Sequence, residues 1–274
     1  MVVFCKILDQ HIALTKQVNH PVIKTGQSTC SGGTMESHAV FELRRYRLHP
    51  GGREPLIGLF DREFVEPQEA LGMRIEGEFR DLDDPDAFVW VRSFANMETR
   101  TEALAGFYSS TVWKEHGPSA NETMLNSDNV LLLKPVAGTR PFSGNQPRER
   151  EPKPSKGLVT VNICSLAPNA EDAFAAHFIE EALPTLEGAG ARVVAIFITE
   201  RSVNGFPRLP VREGETVLVW FELHEDDDSF SRHRARLSND VKWTNEVYPR
   251  MDSQCWRRIE VSRLTPTPRS LCAW

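Results

Sequence analysis

The feature that most constrains this chain of 274 residues is an internal repeat with two constant intervals. The shorter interval separates Gly72–Arg74 from the similar Gly190–Arg192, and it also separates Phe79 from Phe197. The longer interval joins two pairs of tryptophans, Trp90 with Trp220 and Trp113 with Trp243. Two constant intervals that differ by one insertion indicate a duplicated structural unit with a longer loop in the second copy.

Each copy carries the element order of one small α+β domain. In the first copy, alternating and helical apolar patterns predict strand, helix, strand, strand, helix and strand over residues 39–51, 53–72, 73–82, 87–94, 97–108 and 129–135. Pro67 is expected to bend or interrupt the first helix. The βαββαβ order is typical of the ferredoxin-like arrangement. The predicted fold class is therefore α+β, with two tandem ferredoxin-like repeats.

Composition divides the chain into five segments. Residues 35–136 and 157–266 are the two ferredoxin-like domains, and the Pro-, Gly- and charge-rich residues 137–156 between them are a linker. Residues 267–274 form a C-terminal tail. Residues 1–34 have weak periodicity, and we expect either a disordered tail or a translation start assigned too early.

A single ferredoxin-like sheet has helices on one face and an open second face, so the two copies need each other. Alternation separates an apolar strand face, which we expect under the helices, from a mixed face. The apolar face carries Phe41, Leu43, Met73, Ile75, Phe79, Val89 and Val91. The mixed face carries Glu42, Arg44, Tyr46, Arg74, Glu76, Phe88, Trp90, Arg92 and Phe94. Since exposed apolar surface costs about 25 cal/mol per Å², the mixed faces of both copies should pack together into one α+β barrel.

Charges on the mixed face need partners once that face is buried, because an unpaired buried charge is costly. We expect Arg44 to pair with Glu42 or Glu76. We also expect Arg92 to pair with Glu222 from the second copy.

Charge and cysteine content limit the function classes. The net charge is −6, which argues against a broad basic surface for nucleic acid. No run of about 18 apolar residues occurs, so no membrane span is expected. The five cysteines are scattered without a C-x-x-C pair. We therefore expect neither a metal site nor a disulfide framework, and a cytoplasmic location with reduced thiols.

Three stretches of the first copy resemble a known family. They read FELRRYRLHPG (Phe41–Gly51), EALGMRIEGEFRDLDDPDAFVWVRSF (Glu69–Phe94) and VWKEHGPSANETMLNSDNVLLLKP (Val112–Pro135), and they are similar to the NIPSNAP family. The resemblance implies a dimeric α+β-barrel fold, related to the antibiotic-biosynthesis-monooxygenase and chlorite-dismutase-like group. Over Leu158–Leu264 the likeness is architectural. The wider group contains cofactor-free oxygenases, haem enzymes and non-catalytic modules, so the resemblance implies a fold and leaves the reaction open.

His116 is the candidate general base, because an unperturbed imidazole titrates near neutrality. Trp113, three residues earlier, shares its helical face. In the second copy Glu246 stands where His116 stands, so the histidine belongs to one half only. The candidate ligand-binding residues are Arg44, Tyr46, Arg74, Trp90, Arg92 and Trp113. The alternative for Trp113 is a core position, and the alternative for the arginines is internal ion pairing.

Three kinds of function fit this pattern. The first is a barrel that binds a small organic or anionic ligand in a partly buried cavity near His116, Trp90 and Arg44, with an oxygenase-like reaction that uses no metal or cofactor. The second is a non-catalytic interaction or scaffold module, with a filled interior and fully paired charges. The third is a haem or flavin carrier. In each case, edges and helices left over by the barrel could pair two copies of the chain into a homo-oligomer.

Overall fold

The structure of the protein is a computed structural model that describes residues 38–139, 141–142 and 157–272. Residues 1–34, expected to be a tail, and most of the expected linker at 137–156 lie outside the described residues. Within the described residues, the chain builds the predicted α+β element order twice.

The two copies contribute equivalent elements. The first copy supplies β1 (Val40–Leu48), α1 (Arg53–Leu59), a π-helical turn (Phe60–Phe64), α2 (Val65–Glu69), β2 (Arg74–Asp81), β3 (Ala87–Phe94), α3 (Met97–Ser109), α4 (Thr111–Glu122) and β4 (Met124–Pro135). The second copy supplies β5 (Leu158–Ser165), α5 (Glu171–His177), a π-helical turn (Phe178–Ala182), α6 (Leu183–Gly188), β6 (Arg192–Thr199), β7 (Val217–His224), α7 (Asp227–Asn239), a π-helical turn (Trp243–Val247), α8 (Tyr248–Gln254) and β8 (Glu260–Pro266). The elements recur at the two predicted intervals, so the duplication is confirmed.

The duplication extends to the capping of helices and to irregularities of strands. The side chains of Asn96 and Asp226, which are equivalent positions of the repeat, cap α3 and α7. Thr99 and Ser229 complete a capping box at each position, which satisfies backbone donors that a helix leaves unpaired. The strands β2 and β6 also share a register shift at equivalent positions. These local features follow from the sequence of each copy.

A proline follows each π-helical turn within three residues, at Pro67, Pro184 and Pro249. Proline lacks a backbone N–H, and its ring clashes with the carbonyl four residues earlier. A wider turn just before the proline accommodates both effects. Pro67 therefore distorts the first helical segment without ending it, and that segment continues to Glu69.

The eight strands close into one barrel in the order β1-β3-β2-β8-β5-β7-β6-β4. The two halves meet at two short seams, β2–β8 and β4–β6, with three residue pairs each. Irregular segments lengthen both seams. The backbone N–H of Cys272 donates to the backbone carbonyl of Glu76 in β2, and the backbone N–H of Phe142 donates to the backbone carbonyl of Val194 in β6. Part of the expected C-terminal tail thus completes the barrel.

The barrel interior is apolar and filled with side chains. The ring centroids of Phe41 and Phe197, from different halves, are 4.7 Å apart, and those of Phe142 and Phe221 are 5.2 Å apart. Both copies contribute to this buried interior, with Phe41, Leu43, Phe79, Val89, Val91, Leu131, Leu133, Val159, Val161, Phe197, Val217, Val219, Phe221 and Leu223. The two sheets therefore bury each other, as the sequence predicts.

The strand faces, however, are the reverse of the prediction. The apolar face lines the barrel, and the mixed face with Arg44, Trp90 and Arg92 lies under the helices of the first copy. The barrel interior offers mostly apolar strand side chains, whereas the helices bring polar partners for buried charges. The register shift after Ile75 also turns this residue toward the helices. The predicted Arg92–Glu222 pair is wrong, because each residue lies under the helices of its own half.

Removal of one ring from the barrel interior should destabilise the whole fold. We expect Phe197→Ala to lower the free energy of unfolding by roughly 3–5 kcal/mol, because it leaves a cavity between the two sheets. Urea denaturation measures this change. The control is Val203→Ala, whose side chain is 89 % exposed and whose loss should change stability by at most about 0.5 kcal/mol. A loss below about 1 kcal/mol for Phe197→Ala would show that the interior is not tightly packed.

Candidate functional site

The mixed face of the first copy places a cluster of charged side chains under the helices. Glu42 and Arg44 point the same way from β1, and Arg92 on β3 stands opposite Glu42 in the strand register. The helix α3 adds Arg100. All four residues are fully buried, and we name Glu42, Arg44, Arg92 and Arg100 the arginine centre.

The carboxylate of Glu42 accepts hydrogen bonds from all three guanidinium groups. Its Oε2 accepts from Arg44 Nη1 at 2.8 Å and from Arg92 Nε at 2.7 Å. Its Oε1 accepts from Arg100 Nε at 2.7 Å. Charge-assisted bonds of this length are among the strong ones in proteins. The predicted Arg44–Glu42 pair is confirmed.

Neutral oxygen atoms satisfy one further donor of each arginine. Arg44 Nε donates to the hydroxyl of Tyr46 at 3.0 Å. Arg92 Nη1 donates to Gln68 Oε1 of α2 at 3.0 Å. Arg100 Nη1 donates to Asn204 Oδ1 at 2.9 Å, and Asn204 belongs to the loop between β6 and β7 of the second copy.

The arginine centre holds more positive charge than its own carboxylate balances. Three guanidinium groups surround one carboxylate, which leaves an excess of two positive charges. Burial by itself would raise the pKa of Glu42, but Arg92, Arg44 and Arg100 hold this pKa well below its ordinary range. Burial lowers the pKa of Arg100, and although Glu42 opposes this, Arg92 and Arg44 act in the same direction as burial. A nearby anion would relieve this imbalance.

Four N–H groups at or beside the arginine centre form no hydrogen bond with the described residues: Arg44 Nη2, Arg92 Nη2, Arg100 Nη2 and Trp90 Nε1. Of these, Arg100 Nη2 lies 2.6 Å from Glu42 Oε1 and is ion-paired, so three donors have no acceptor among those residues. The guanidinium carbons of Arg44 and Arg92 lie 5.5 and 5.1 Å from the centroid of the Trp90 ring, and both groups bond the same oxygen of Glu42. The three donors therefore belong to neighbouring side chains. Because an unpaired buried polar group costs roughly 1–3 kcal/mol, an acceptor at this position would stabilise the site.

Aromatic rings surround the arginine centre. The Trp90 ring lies edge to face with Tyr46 and Phe60, at centroid distances of 5.8 and 4.8 Å. Tyr108 lies on α3, close enough to the arginine centre for the charges of Arg92, Arg44 and Glu42 to act on its pKa. Burial raises the pKa of Tyr108 to about 12, although Arg92 opposes the shift. Its phenol is therefore neutral near pH 7 and can donate a hydrogen bond.

The second copy carries the opposite charge at the equivalent place. Glu222 occupies the position of the repeat that Arg92 holds in the first copy. It accepts hydrogen bonds from Trp220 Nε1 at 2.7 Å and from Thr160 Oγ1 at 3.1 Å. The indole N–H that lacks a partner at Trp90 is thus bonded at Trp220. The two halves have diverged in charge while keeping the same backbone.

Two buried histidines complete this second cluster. His224 Nε2 lies 3.3 Å and His233 Nε2 lies 3.7 Å from Oε2 of Glu222. Burial lowers the pKa of His233, although Glu222 opposes the shift. Burial by itself would raise the pKa of Glu222, but hydrogen bonds from His224 and Trp220 lower it.

The structure brings together four of the six predicted ligand-binding residues, Arg44, Tyr46, Trp90 and Arg92. Arg74 is not part of this group. Its Nε lies 3.3 Å from Glu76 Oε2 near the start of β2, and its side chain is partly exposed.

The other two predicted residues lie on α4. His116 Nε2 is 3.5 Å from Glu63 Oε2, and no hydrogen bond or ion pair joins it to the arginine centre within the described chain. A catalytic role for His116 stays a prediction. Trp113 packs over the backbone of Gly117 and against the rings of Phe64 and Tyr108, which favours the core position.

Sequence reasoning missed Arg100, Gln68 and Asn204. Arg100 carried a usable signal, because it lies three and four residues before Ala103 and Leu104, which share its buried helical face. Gln68 and Asn204 carried none, since one lies in a distorted helix and the other in an irregular loop.

The described part of the chain contains no group of three His, Cys, Asp or Glu side chains arranged as metal ligands. None of its helices has the length and apolar character needed to pass through a bilayer.

Comparisons with known proteins give a family match for the first copy and structural matches for the whole fold. A family model described as NIPSNAP matches residues 41–138. A candidate monooxygenase from Fusobacterium nucleatum shares 10% identity over 85% of this chain and 94% of its own, with a TM-score of 0.54. An anthrone oxidase-like protein shares 12% identity over 87% of this chain and 97% of its own, with a TM-score of 0.52. No curated protein matches the sequence. At such low identity, these structures show a shared fold alone.

Glu42 should be essential to the stability of the first copy. We expect Glu42→Gln to lower the free energy of unfolding by roughly 3–5 kcal/mol, because it leaves three buried guanidinium groups without a counter-charge. Chemical denaturation measures the loss. Adding Arg100→Met to the same protein should recover part of it, since one of the repelling charges is removed. Wild-type stability in Glu42→Gln would mean that another anion balances the centre.

Acidification should destabilise the protein through His233. Its folded pKa lies below its unfolded pKa of about 6.5, so the unfolded state binds more protons as pH falls. The contribution of this group to stability should therefore be constant above about pH 7.5 and decrease as the pH falls through about 6.5, by at most roughly 1.4 kcal/mol per pH unit. Denaturation at a series of pH values tests this. His233→Gln should flatten the profile in this window, whereas the exposed control His49→Gln should leave it unchanged.

Proposed function

Because the chain carries a NIPSNAP domain at residues 41–138 within an eight-stranded α+β barrel, we propose that this domain binds a small organic anion at the arginine centre. The ligand carries a carboxylate or a similar planar oxyanion on an apolar body. The anionic group accepts hydrogen bonds from Arg44, Arg92 and Trp90.

The observation that carries the proposal is the set of three unpaired N–H donors beside an excess of two positive charges. Buried donors in folded proteins are nearly always bonded. Here two guanidinium groups and one indole each keep an N–H without an acceptor among the described residues. A single anion next to Arg44, Arg92 and Trp90 would satisfy the donors and reduce the charge together.

The surrounding side chains favour an organic ligand over an inorganic ion. Tyr46, Trp90 and Tyr108 give the site aromatic surfaces, and the neutral phenol of Tyr108 adds a hydroxyl donor. Planar guanidinium groups suit carboxylates, and aromatic walls suit an apolar body. The ligand class is therefore a small carboxylate with an aromatic or aliphatic body.

The chemistry of the centre favours binding over proton abstraction. The low pKa of Glu42 makes its carboxylate a weak base, and Tyr108 holds its proton near neutral pH. His116 is bonded to neither the arginines nor Glu42 in the described chain. The names of proteins with this fold suggest an oxygenase-like reaction. We assign no residue of the arginine centre as a general base for such a reaction.

The rival proposal, a non-catalytic interaction module, receives support from one observation. The barrel interior is filled, as that hypothesis expects. The same hypothesis expects all buried charges to be paired, and the open donors of Arg44 and Arg92 argue against it.

Free thiols at Cys164, Cys255 and Cys272 are in keeping with the proposed cytoplasmic location. Pairing of two copies stays a prediction.

The proposal is tested by calorimetric titration with benzoate, and with its uncharged analogue benzamide. We expect benzoate to bind saturably and benzamide not to bind. Trp90→Phe should weaken benzoate binding by roughly fivefold or more, because one hydrogen bond is lost, and Arg44→Met by at least about tenfold, because a charged donor is lost.

The matched control is Trp220→Phe, which removes the equivalent indole from the second copy. This substitution removes about as much buried aromatic surface as Trp90→Phe does, and it breaks the hydrogen bond from Trp220 Nε1 to Glu222. Benzoate should bind this variant as it binds the wild type. The proposal fails if acetate, benzoate and phthalate all leave the wild type without saturable binding. It also fails if Trp90→Phe and Arg44→Met, verified as folded, bind like the wild type.

A further inference from the structure

The loop between β6 and β7, residues 200–216, is the insertion that lengthens the interval between the two copies. The equivalent hairpin loop of the first copy, residues 82–86, is far shorter. The long loop leaves its own half and packs on the first half. An insertion in one copy therefore covers the site of the other.

The base of this loop is fixed to the edge of β4. The backbone N–H of Glu200 donates to the carbonyl of Leu132 at 2.9 Å, and that of Arg212 donates to the carbonyl of Val130 at 2.8 Å. These bonds occupy backbone groups of β4 that its short seam with β6 leaves available. The loop thus has a defined position over the helices of the first copy.

The tip of the loop reaches the arginine centre through Asn204. Its Oδ1 accepts from Arg100 Nη1 at 2.9 Å and from the backbone N–H of Phe206 at 3.1 Å. Its Nδ2 donates to the carbonyl of Leu209 at 2.9 Å. One amide therefore holds the shape of the loop tip and bonds the arginine centre.

Close packing makes this position of the tip specific. A Cβ atom at Gly205 would lie 2.4 Å from Thr101 Oγ1 of α3, so only glycine allows the loop backbone to approach this closely. The neighbouring Phe206 is buried, and its ring stacks on Tyr108 at 5.8 Å with an interplanar angle of 21°.

Tyr108 links this contact to the centre. It is partly exposed to solvent, whereas the four residues of the arginine centre are fully buried. The charges of Arg92 and Arg44 also act on its hydroxyl. The stacked pair of Tyr108 and Phe206, together with Asn204, therefore covers the arginine centre beside Arg100.

We infer that the β6–β7 loop closes the anion site and that Asn204 is its specificity-determining residue. This inference rests on the proposed function. Asn204 gives Arg100 an acceptor without a charge, so the two excess positive charges of the centre stay available to the ligand. An acidic residue at the same position would bond Arg100 equally well, but it would compete with the ligand as an internal anion.

The test uses the full chain and two probe anions, benzoate with one negative charge and phthalate with two. Asn204→Asp should keep the bonds from Arg100 and from the backbone N–H of Phe206, and lose the bond to the Leu209 carbonyl. It should weaken benzoate binding by about tenfold, because it adds a repelling charge close to the ligand. Phthalate should lose more affinity than benzoate, since the repulsion grows with the charge of the ligand. Titration calorimetry measures both affinities.

Closure itself is tested by kinetics in the same protein. Gly205→Ala and Asn204→Ala should each speed both association and dissociation of benzoate, measured by stopped-flow tryptophan fluorescence, because the loop tip no longer docks on α3. The matched control is Val203→Ala in the same loop, whose side chain is exposed. Adding Thr101→Ala to Gly205→Ala should restore rates toward those of the wild type, since it removes the clashing hydroxyl.

The possible results separate the two proposals. Wild-type protein that binds neither probe, nor acetate, overturns the proposed function, and the inference with it. Wild-type binding that is unchanged in Asn204→Asp, together with unchanged rates in Gly205→Ala, overturns the inference alone. An equal loss of affinity for both anions in Asn204→Asp overturns the electrostatic role of Asn204.

Discussion

One buried carboxylate, that of Glu42, holds three guanidinium groups, and the first half of the barrel is arranged around it. Arg92 joins β3 and Arg100 joins α3 to this carboxylate on β1, and Arg44 bonds it from the same strand. Gln68 on α2 joins through Arg92. A cluster with this much uncompensated charge is costly to bury, so its persistence under the helices points to a function beyond stability.

Much of the fold follows from the sequence because duplication repeats every local signal. The capping residues, strand order and helix spacing recur at the two intervals of the repeat, and each copy confirms the other. The orientation of the strands did not follow, since alternation separates two faces without saying which one meets the partner sheet. The uniformly apolar face fits between two sheets, and the mixed face needs helices that supply partners such as Arg100.

The candidate site was predictable to the extent that it lies on strands. Arg44, Tyr46, Trp90 and Arg92 share one strand face, and periodicity alone groups them. Contacts that depend on a long loop folding back onto another domain have no period, so Asn204 could not be found this way. His116 drew attention through its chemistry, yet the carboxylates beside it are those of Glu63 and Glu115 on the helices.

Fusion of the two copies into one chain has a consequence for symmetry. A barrel assembled from two identical chains must carry two identical sites, because every substitution appears twice. Here Arg92 belongs to the arginine centre while Glu222, its counterpart, lies beside two histidines, and the long loop of the second copy bonds Arg100 of the first. The covalent link frees each half to carry its own charges, so the proposed anion site can belong to the first half while the second half supplies the loop that packs on it.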